Sequence, residues 1–288
     1  MKAFITGRNG FSGRHLAKFL RAQKVAVSGF GGDLKDKTSV FAAVSRAKPD
    51  WIFHLASPIL RSDQLLDRNL VTNLEVDLFG TVYLLEAAAA LAKKPKILIT
   101  NTAAVYAPSP RPLTETSRLK PFTSYGLSKL TQELVSLELA KSYHLPLIIT
   151  RTFLLIGPGQ KPGFVVTDLA KSIATGKKQI TLGNPNIRRD FTDVRDAARA
   201  YYLLMKQGKP GDVYNACSGK TVSIGQIATR LASLAGFNLK IKTASSWRQN
   251  DPNLICGNHS KLTHTTGWQP QISLNQSLKD TLNYWRRQ

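Results

Sequence analysis

Apolar residues fall along this chain in two alternating rhythms. Short apolar runs that read as strands occur at 2–6, 25–28, 51–55, 97–101 and 147–151, with longer stretches between them. In those stretches the apolar positions return every three or four residues. Leu16, Phe19 and Leu20 predict one face of a helix over 11–22; Val40, Phe41 and Val44 do so for 36–47. Leu130, Leu134, Leu137 and Leu139 support a helix over 124–141, where no proline intervenes before Pro146. Strands alternating with helices predict an α/β chain built on a doubly wound parallel sheet. Past about residue 155 the pattern changes to shorter strands, turns and helices, among them helices at 224–235 and 274–287 and a late strand at 213–215. No internal repeat or low-complexity segment interrupts this order, and a proline-rich loop at 108–121 is expected to cross the active site.

The first strand runs directly into Gly7-Arg8-Asn9-Gly10-Phe11-Ser12-Gly13. A turn of this kind cradles phosphate: Gly7 permits the tight exit, Gly10 the approach of a pyrophosphate, and Gly13 the close packing of the next helix. The free amides at that helix's N-terminus would hold the anion. Farther on, Tyr125 and Lys129 lie four residues apart, on one face of a helix. An ammonium beside a phenol is expected to draw the tyrosine down from its ordinary value of about 10. Thr102 ends an apolar strand, at the edge where open α/β sheets bind ligands. Its hydroxyl either hydrogen-bonds a substrate oxygen next to Tyr125 or merely caps the following turn.

Together the Gly7/Gly10/Gly13 turn, Thr102, Tyr125 and Lys129 resemble the extended short-chain dehydrogenase/reductase family, the nucleotide-sugar epimerases, dehydratases and reductases. Similarity continues in Asp33-Leu34, Phe53-His54-Leu55-Ala56, Gly80-Thr81 and Arg189-Asp190-Phe191-Thr192-Asp193. Ile156-Gly157-Pro158-Gly159-Gln160, Gly163-Phe164-Val165, Val213-Tyr214-Asn215-Ala216-Cys217-Ser218-Gly219 and Thr266-Gly267-Trp268-Gln269-Pro270 are similar to the branch of GDP-4-keto-6-deoxymannose reductases and GDP-mannose 4,6-dehydratases. The resemblance implies a Rossmann-type dinucleotide domain over 1–155 plus 189–222, and a smaller α/β substrate-binding domain over 156–188 plus 223–288.

It also implies site residues. Thr102, Tyr125 and Lys129 would be catalytic. Gly7, Arg8, Asn9, Gly10, Phe11, Gly13, Asp33, Leu34, Leu55 and Ala56 would bind the coenzyme together with Tyr125 and Lys129. Phe164, Val165, Arg189 and Arg248 would bind the substrate, the arginines by pairing with its diphosphate. No carboxylate stands at the end of the second strand, where NAD-preferring folds hold the adenosine ribose, and Arg8 is placed to meet a 2′-phosphate. NADP(H) is therefore favoured over NAD(H). The connection to the next strand is short, so the third strand of the usual fold is expected to be vestigial.

Composition limits the alternatives. Forty Lys and Arg against eighteen Asp and Glu give a net charge of +22. Such a field attracts anions, from nucleotide diphosphates to nucleic acid. The basic residues are scattered in pairs such as Lys93-Lys94 and Arg188-Arg189, which fits general anion attraction better than a nucleic-acid stripe. Cys217 and Cys256 are too few for a disulfide framework or a zinc site, so no metal is expected. No apolar run is long enough to span a bilayer and no signal-peptide pattern opens the chain, which suggests a cytoplasmic protein without a membrane partner. Family habit suggests a homodimer.

Several positions depart from the family pattern. Ala104 stands where dehydratases carry a glutamate, which argues against dehydration; Asp77 stands where an asparagine is usual; Leu154 and Leu155 replace a polar, substrate-touching pair; Asn258 replaces an aspartate. The reading is an NADPH-dependent reductase of a nucleotide-diphosphate-linked 4-keto-6-deoxyhexose, GDP-linked by preference. Its rivals are an epimerase of the same family with tightly bound NAD(P), and a non-catalytic member holding RNA or protein on its basic surface.

Overall fold

The computed structural model describes residues 1–57, 70–245 and 252–288. Chain order begins β1 (Lys2–Thr6), α1 (Phe11–Ala22), β2 (Ala26–Phe30), α2 (Lys37–Ala47), β3 (Trp51–His54) and α3 (Leu70–Leu74). A π-helical turn (Glu75–Phe79) then leads into α4 (Gly80–Ala89), β4 (Lys96–Thr102), α5 (Ser124–Ser142), β5 (Leu147–Thr152) and β6 (Leu154–Ile156). There follow α6 (Val165–Ala174), β7 (Gln179–Leu182), β8 (Arg188–Asp193), α7 (Val194–Gln207), β9 (Val213–Ala216) and β10 (Thr221–Ser223). The last elements are α8 (Ile224–Ala235), β11 (Lys240–Thr243), β12 (Leu254–Ile255), α9 (Ser260–Thr266) and α10 (Leu274–Arg286).

Six strands form a wholly parallel sheet in the order β2-β1-β3-β4-β5-β9. Alternate residues feed opposite cores, as the pleat requires. Ile5, Phe53 and Leu98 pack with Leu16, Leu20, Tyr201 and Leu204 of α1 and α7. Phe4, Ile52, Ile97 and Ile99 pack with Val40, Val44, Leu84 and Leu85 of α2 and α4. Burial on both faces explains why these strands read as continuous apolar runs. Pairing sets their true ends: β2 begins and ends later than expected because Lys2 lies opposite Ala26 and Thr6 opposite Phe30. β3 pairs directly with β1, and no described strand lies outside β2, so the expected short connection does skip a strand.

The smaller lobe is organised around β8, which pairs with β10, β12 and β6. Beside it, β7 and β11 form a separate parallel pair. Its core joins Ile156, Val166, Leu169, Ile173, Ile227, Leu231, Leu278 and Leu282. Leu262 and Trp268, expected with this lobe, lie instead in the core of the large sheet, where the Trp268 indole donates to the Asp196 carbonyl at 3.0 Å. Two bonds tie the lobes near the turn: Arg14 donates to the Gly159 carbonyl at 2.9 Å, and His15 meets that of Pro158 at 3.0 Å.

Candidate active site

The glycine turn is built as its spacing demands. Gly7 adopts φ +70°, and a Cβ there would sit 2.9 Å from the Ala56 amide nitrogen. A Cβ on Gly13 would come within 2.2 Å of the Gly7 carbonyl, so α1 reaches the turn only with glycine at that place. Gly10 caps α1 without a side chain, which leaves the first-turn amides without a side-chain partner. The turn opens on a cleft of about 340 Å³ at the carboxyl edge of the sheet. Gly7, Arg8, Asn9, Gly10, Asp33, Leu34 and Ala56 line it, together with Gly32, the neighbour of Asp33, and joined by Phe30, Gly31, Ser57 and Val76, which sequence reasoning did not assign to the site. Phe11, Gly13 and Leu55 are not part of this lining. The Arg8 side chain lies across Gly29 near the end of β2, where a Cβ would meet its Cδ at 2.8 Å. The backbone turn, the free helix amides and the nearby guanidinium fit an anionic dinucleotide.

Thr102 and Tyr125 meet at the end of β4. The Thr102 hydroxyl lies close enough to the phenol to lower its proton affinity, and Thr102 Oγ1 accepts from the Ala104 amide at 3.2 Å. Thr102 therefore caps the short turn at 103–105, as the plainer of its two readings expects. Thr123 caps α5 by accepting from the Gly126 amide at 3.0 Å, and this fixes where Tyr125 emerges. Gly126 packs so close that a Cβ would lie 2.5 Å from the Ala104 carbonyl.

The expected effect of Lys129 on Tyr125 is not what the structure shows. Burial pushes the phenol well above its ordinary value, Asp77 adds to the rise, and the Thr102 hydroxyl only partly opposes it. Burial is the larger cause and Asp77 the second, and Asp77 is also the group paired with the Lys129 ammonium. This carboxylate, completely buried, lies with Oδ1 3.5 Å from Lys129 Nζ. It also accepts from Ser57 Oγ at 2.7 Å and Ser128 Oγ at 3.1 Å.

Two further networks support the site. His54 is buried beneath it, its Nε2 2.8 Å from Thr81 Oγ1 and its Nδ1 2.7 Å from Thr6 Oγ1. The Thr81 hydroxyl donates to the Asp77 carbonyl, so Thr81 Oγ1 must accept from His54. Nε2 therefore carries the proton, and Nδ1 accepts from Thr6. Burial first, and the Lys129 charge second, lower His54 from 6.5 to about 3, which keeps the ring neutral. One turn along α5, Glu133 grips Arg151 through Oε1–Nη2 at 2.5 Å and Oε2–Nε at 3.1 Å. Asn101 donates to Glu133 Oε2 at 2.6 Å and to the Lys129 carbonyl at 3.0 Å, while its Oδ1 accepts from the Thr102 amide at 2.7 Å. Thr102 and Lys129 are thus held from behind by one asparagine.

The substrate-side expectations fare differently. Phe164 and Val165 sit at the start of α6, Phe164 as its N-cap. Arg189 is buried on β8 and donates to the carbonyls of Arg188 at 3.0 Å and Pro252 at 2.7 Å, so its guanidinium is already engaged by backbone. Arg248 lies outside the described residues. Leu154 is 44% exposed at the start of β6. Among the described residues no cluster of His, Cys, Asp and Glu could hold a metal ion, and no helix is long and apolar enough to cross a membrane.

Comparison with known proteins agrees with this geometry. The sequence model of the GDP-mannose 4,6 dehydratase family matches residues 28–281. The chain belongs to that family. It lies within the extended short-chain dehydrogenases/reductases and is an enzyme of the NAD(P)-dependent oxidoreductase type. A GDP-6-deoxy-D-mannose reductase of Pseudomonas aeruginosa is 31% identical over 99% of this chain and 97% of its own. A GDP-6-deoxy-D-talose 4-dehydrogenase of Aggregatibacter actinomycetemcomitans is 29% identical over 93% of this chain and 92% of its own. Among solved structures, RMD from Pseudomonas aeruginosa complexed with NADPH superposes with a TM-score of 0.92 at 30% identity, covering 99% of both chains.

Proposed function

We propose that the chain is an NADPH-dependent reductase of a nucleotide-diphosphate-linked 4-keto-6-deoxyhexose, the GDP-linked sugar being favoured. The observation that carries this reading is the cleft at the glycine turn, whose Ser57 is joined through Asp77 to Lys129, one helical turn from Tyr125. The relatives named as GDP-6-deoxy-sugar reductase and dehydrogenase support the substrate class. When bound, the coenzyme supplies a hydride to the ketone carbon. Tyr125 donates its proton to the oxygen on which charge develops, and Thr102 steadies that oxygen through its hydroxyl. Ala104 offers no acid or base for loss of water. Arg8, with no carboxylate opposing it at the end of β2, supports preference for the 2′-phosphorylated coenzyme. Leu127 and Leu134, 44% and 57% exposed on one face of α5, support a homodimer in which a second copy covers them.

The test is to mix the protein with NADPH or NADH and GDP-, dTDP- and UDP-linked 4-keto-6-deoxy sugars. Stoichiometric NADPH consumption with a GDP-linked substrate is expected, and Tyr125→Phe should lower the rate by about 10²–10⁴-fold. Interconversion of sugar epimers without net coenzyme consumption would instead mark an epimerase.

A further inference from the structure

Asp77 has no task in the reductase reading, and an asparagine would be the ordinary residue at its place. It sits on the π-helical turn before α4, completely buried, and its side-chain partners come from two other segments: Ser57 after β3, and Ser128 and Lys129 on α5. Ser57 donates to Oδ1 and Ser128 to Oδ2, so an asparagine would accept from one hydroxyl and donate its amide N–H to the other, keeping both contacts. What the carboxylate adds is charge. Lys129 Nζ, itself almost wholly buried, lies 3.5 Å from Oδ1, one helical turn from Tyr125. An ammonium alone in that position would favour the phenolate. An ammonium paired with a carboxylate presents a dipole, whose field at the phenol is much weaker.

We propose that Asp77 is a positioning residue that claims the Lys129 ammonium and thereby reserves Tyr125 for proton donation across the neutral pH range. This rests on the reductase reading for its direction. In the reduction, the ketone carbon gains a hydride from the reduced nicotinamide, which is oxidised. The carbonyl electron pair moves to oxygen and takes the Tyr125 proton, and water then reprotonates the phenolate. Alcohol oxidation needs the phenolate at the outset, the form that Asp77 disfavours.

The surroundings contain few rival charges among the described residues. Asp77 and Tyr201 of α7 act on the phenol, both raising its proton affinity after burial. His54 of β3, which also feels Lys129, is neutral. Glu133 on α5 is taken up by Arg151 of β5. Asp77 is therefore the acidic group available to offset Lys129.

Titration of the coenzyme-free protein tests the inference. The chain has eight tyrosines, so tyrosinate ultraviolet absorbance is recorded with and without Tyr125→Phe, and the difference isolates one phenol. In the Asp77→Asn background that phenol should ionise at lower pH than in the wild type, by on the order of one unit or more. Asp77→Ser, a second neutral side chain, should shift it the same way. The alkaline limb of the reduction rate should follow, because donation is lost as pH rises through the phenol's titration. An unchanged or raised midpoint in a folded neutral variant overturns the proposal. If no nucleotide sugar is reduced, the functional reading fails while the coenzyme-free titration still decides the role of Asp77.

Discussion

Helix α5 carries two buried ion pairs one turn apart, and they are built on different plans. Glu133 and Arg151 meet through two contacts of 2.5 and 3.1 Å, and every side of the cluster is satisfied. Asn101 donates to the carboxylate, and Arg151 donates to the Tyr106 hydroxyl at 3.0 Å and the Glu115 carbonyl at 2.9 Å. Lys129 and Asp77 touch once, at 3.5 Å, and among the described residues the lysine pairs with no second carboxylate. The planar guanidinium fork fixes a geometry; the ammonium only answers a charge. One pair locks β4, β5 and α5 together, and the other adjusts the electrostatics of a neighbouring phenol. Burial alone does not separate the two roles, since all four side chains are at most 5% exposed.

If that contrast holds, breaking the fork should cost most. Arg151→Ala strands the Glu133 charge and is expected to destabilise the fold by about 3–5 kcal/mol, measured by denaturant unfolding. Acid should come next, acting beneath the looser pair. His54 is lowered from 6.5 to about 3, so the unfolded chain takes up this proton first as pH falls. Stability present above 6.5 is therefore lost through that window, at up to about 1.4 kcal/mol per pH unit. His54→Gln should flatten that part of the stability–pH curve; an unaltered slope would deny the ring its neutral, buried role. A smaller loss is expected of Asp77→Asn: it also leaves a buried charge, Lys129, without its partner, but it gives up a single 3.5 Å contact and the asparagine keeps a polar partner for each serine. Equal losses for Asp77→Asn and Arg151→Ala would erase the distinction.

The glycine turn and the Tyr125–Lys129 spacing are legible because both are local: a few consecutive residues on a strand–turn–helix already define the geometry. The sheet is legible for a similar reason, since strands buried on both faces write continuous apolar runs. The electrostatics are not local. Lys129 and Asp77 are 52 residues apart, and Glu133 and Arg151 are 18 apart. Asp77 stood out only as an acid where an asparagine is usual; nothing along the chain showed which cation would meet it. Arg151, closing an otherwise apolar strand, and Glu133, four residues beyond Lys129, were signals of an internal pair that went unread. Arg189 is a further non-local case: its Nη1 donates to the carbonyls of Arg188 and of Pro252, the latter 63 residues away, which nothing along the chain shows.

The proline-rich segment between β4 and α5 has one more implication. Tyr106 bridges to Leu119 across its base, and its middle is stitched to the C-terminal part of the chain, with Leu113 donating to the Cys256 carbonyl and Asn258 donating to that of Leu113, both at 2.8 Å. Leu113 itself is buried with Val105, Tyr106 and Phe153. A segment pinned at its base and at its middle belongs to the fixed scaffold, so its course is set by the fold before any ligand arrives.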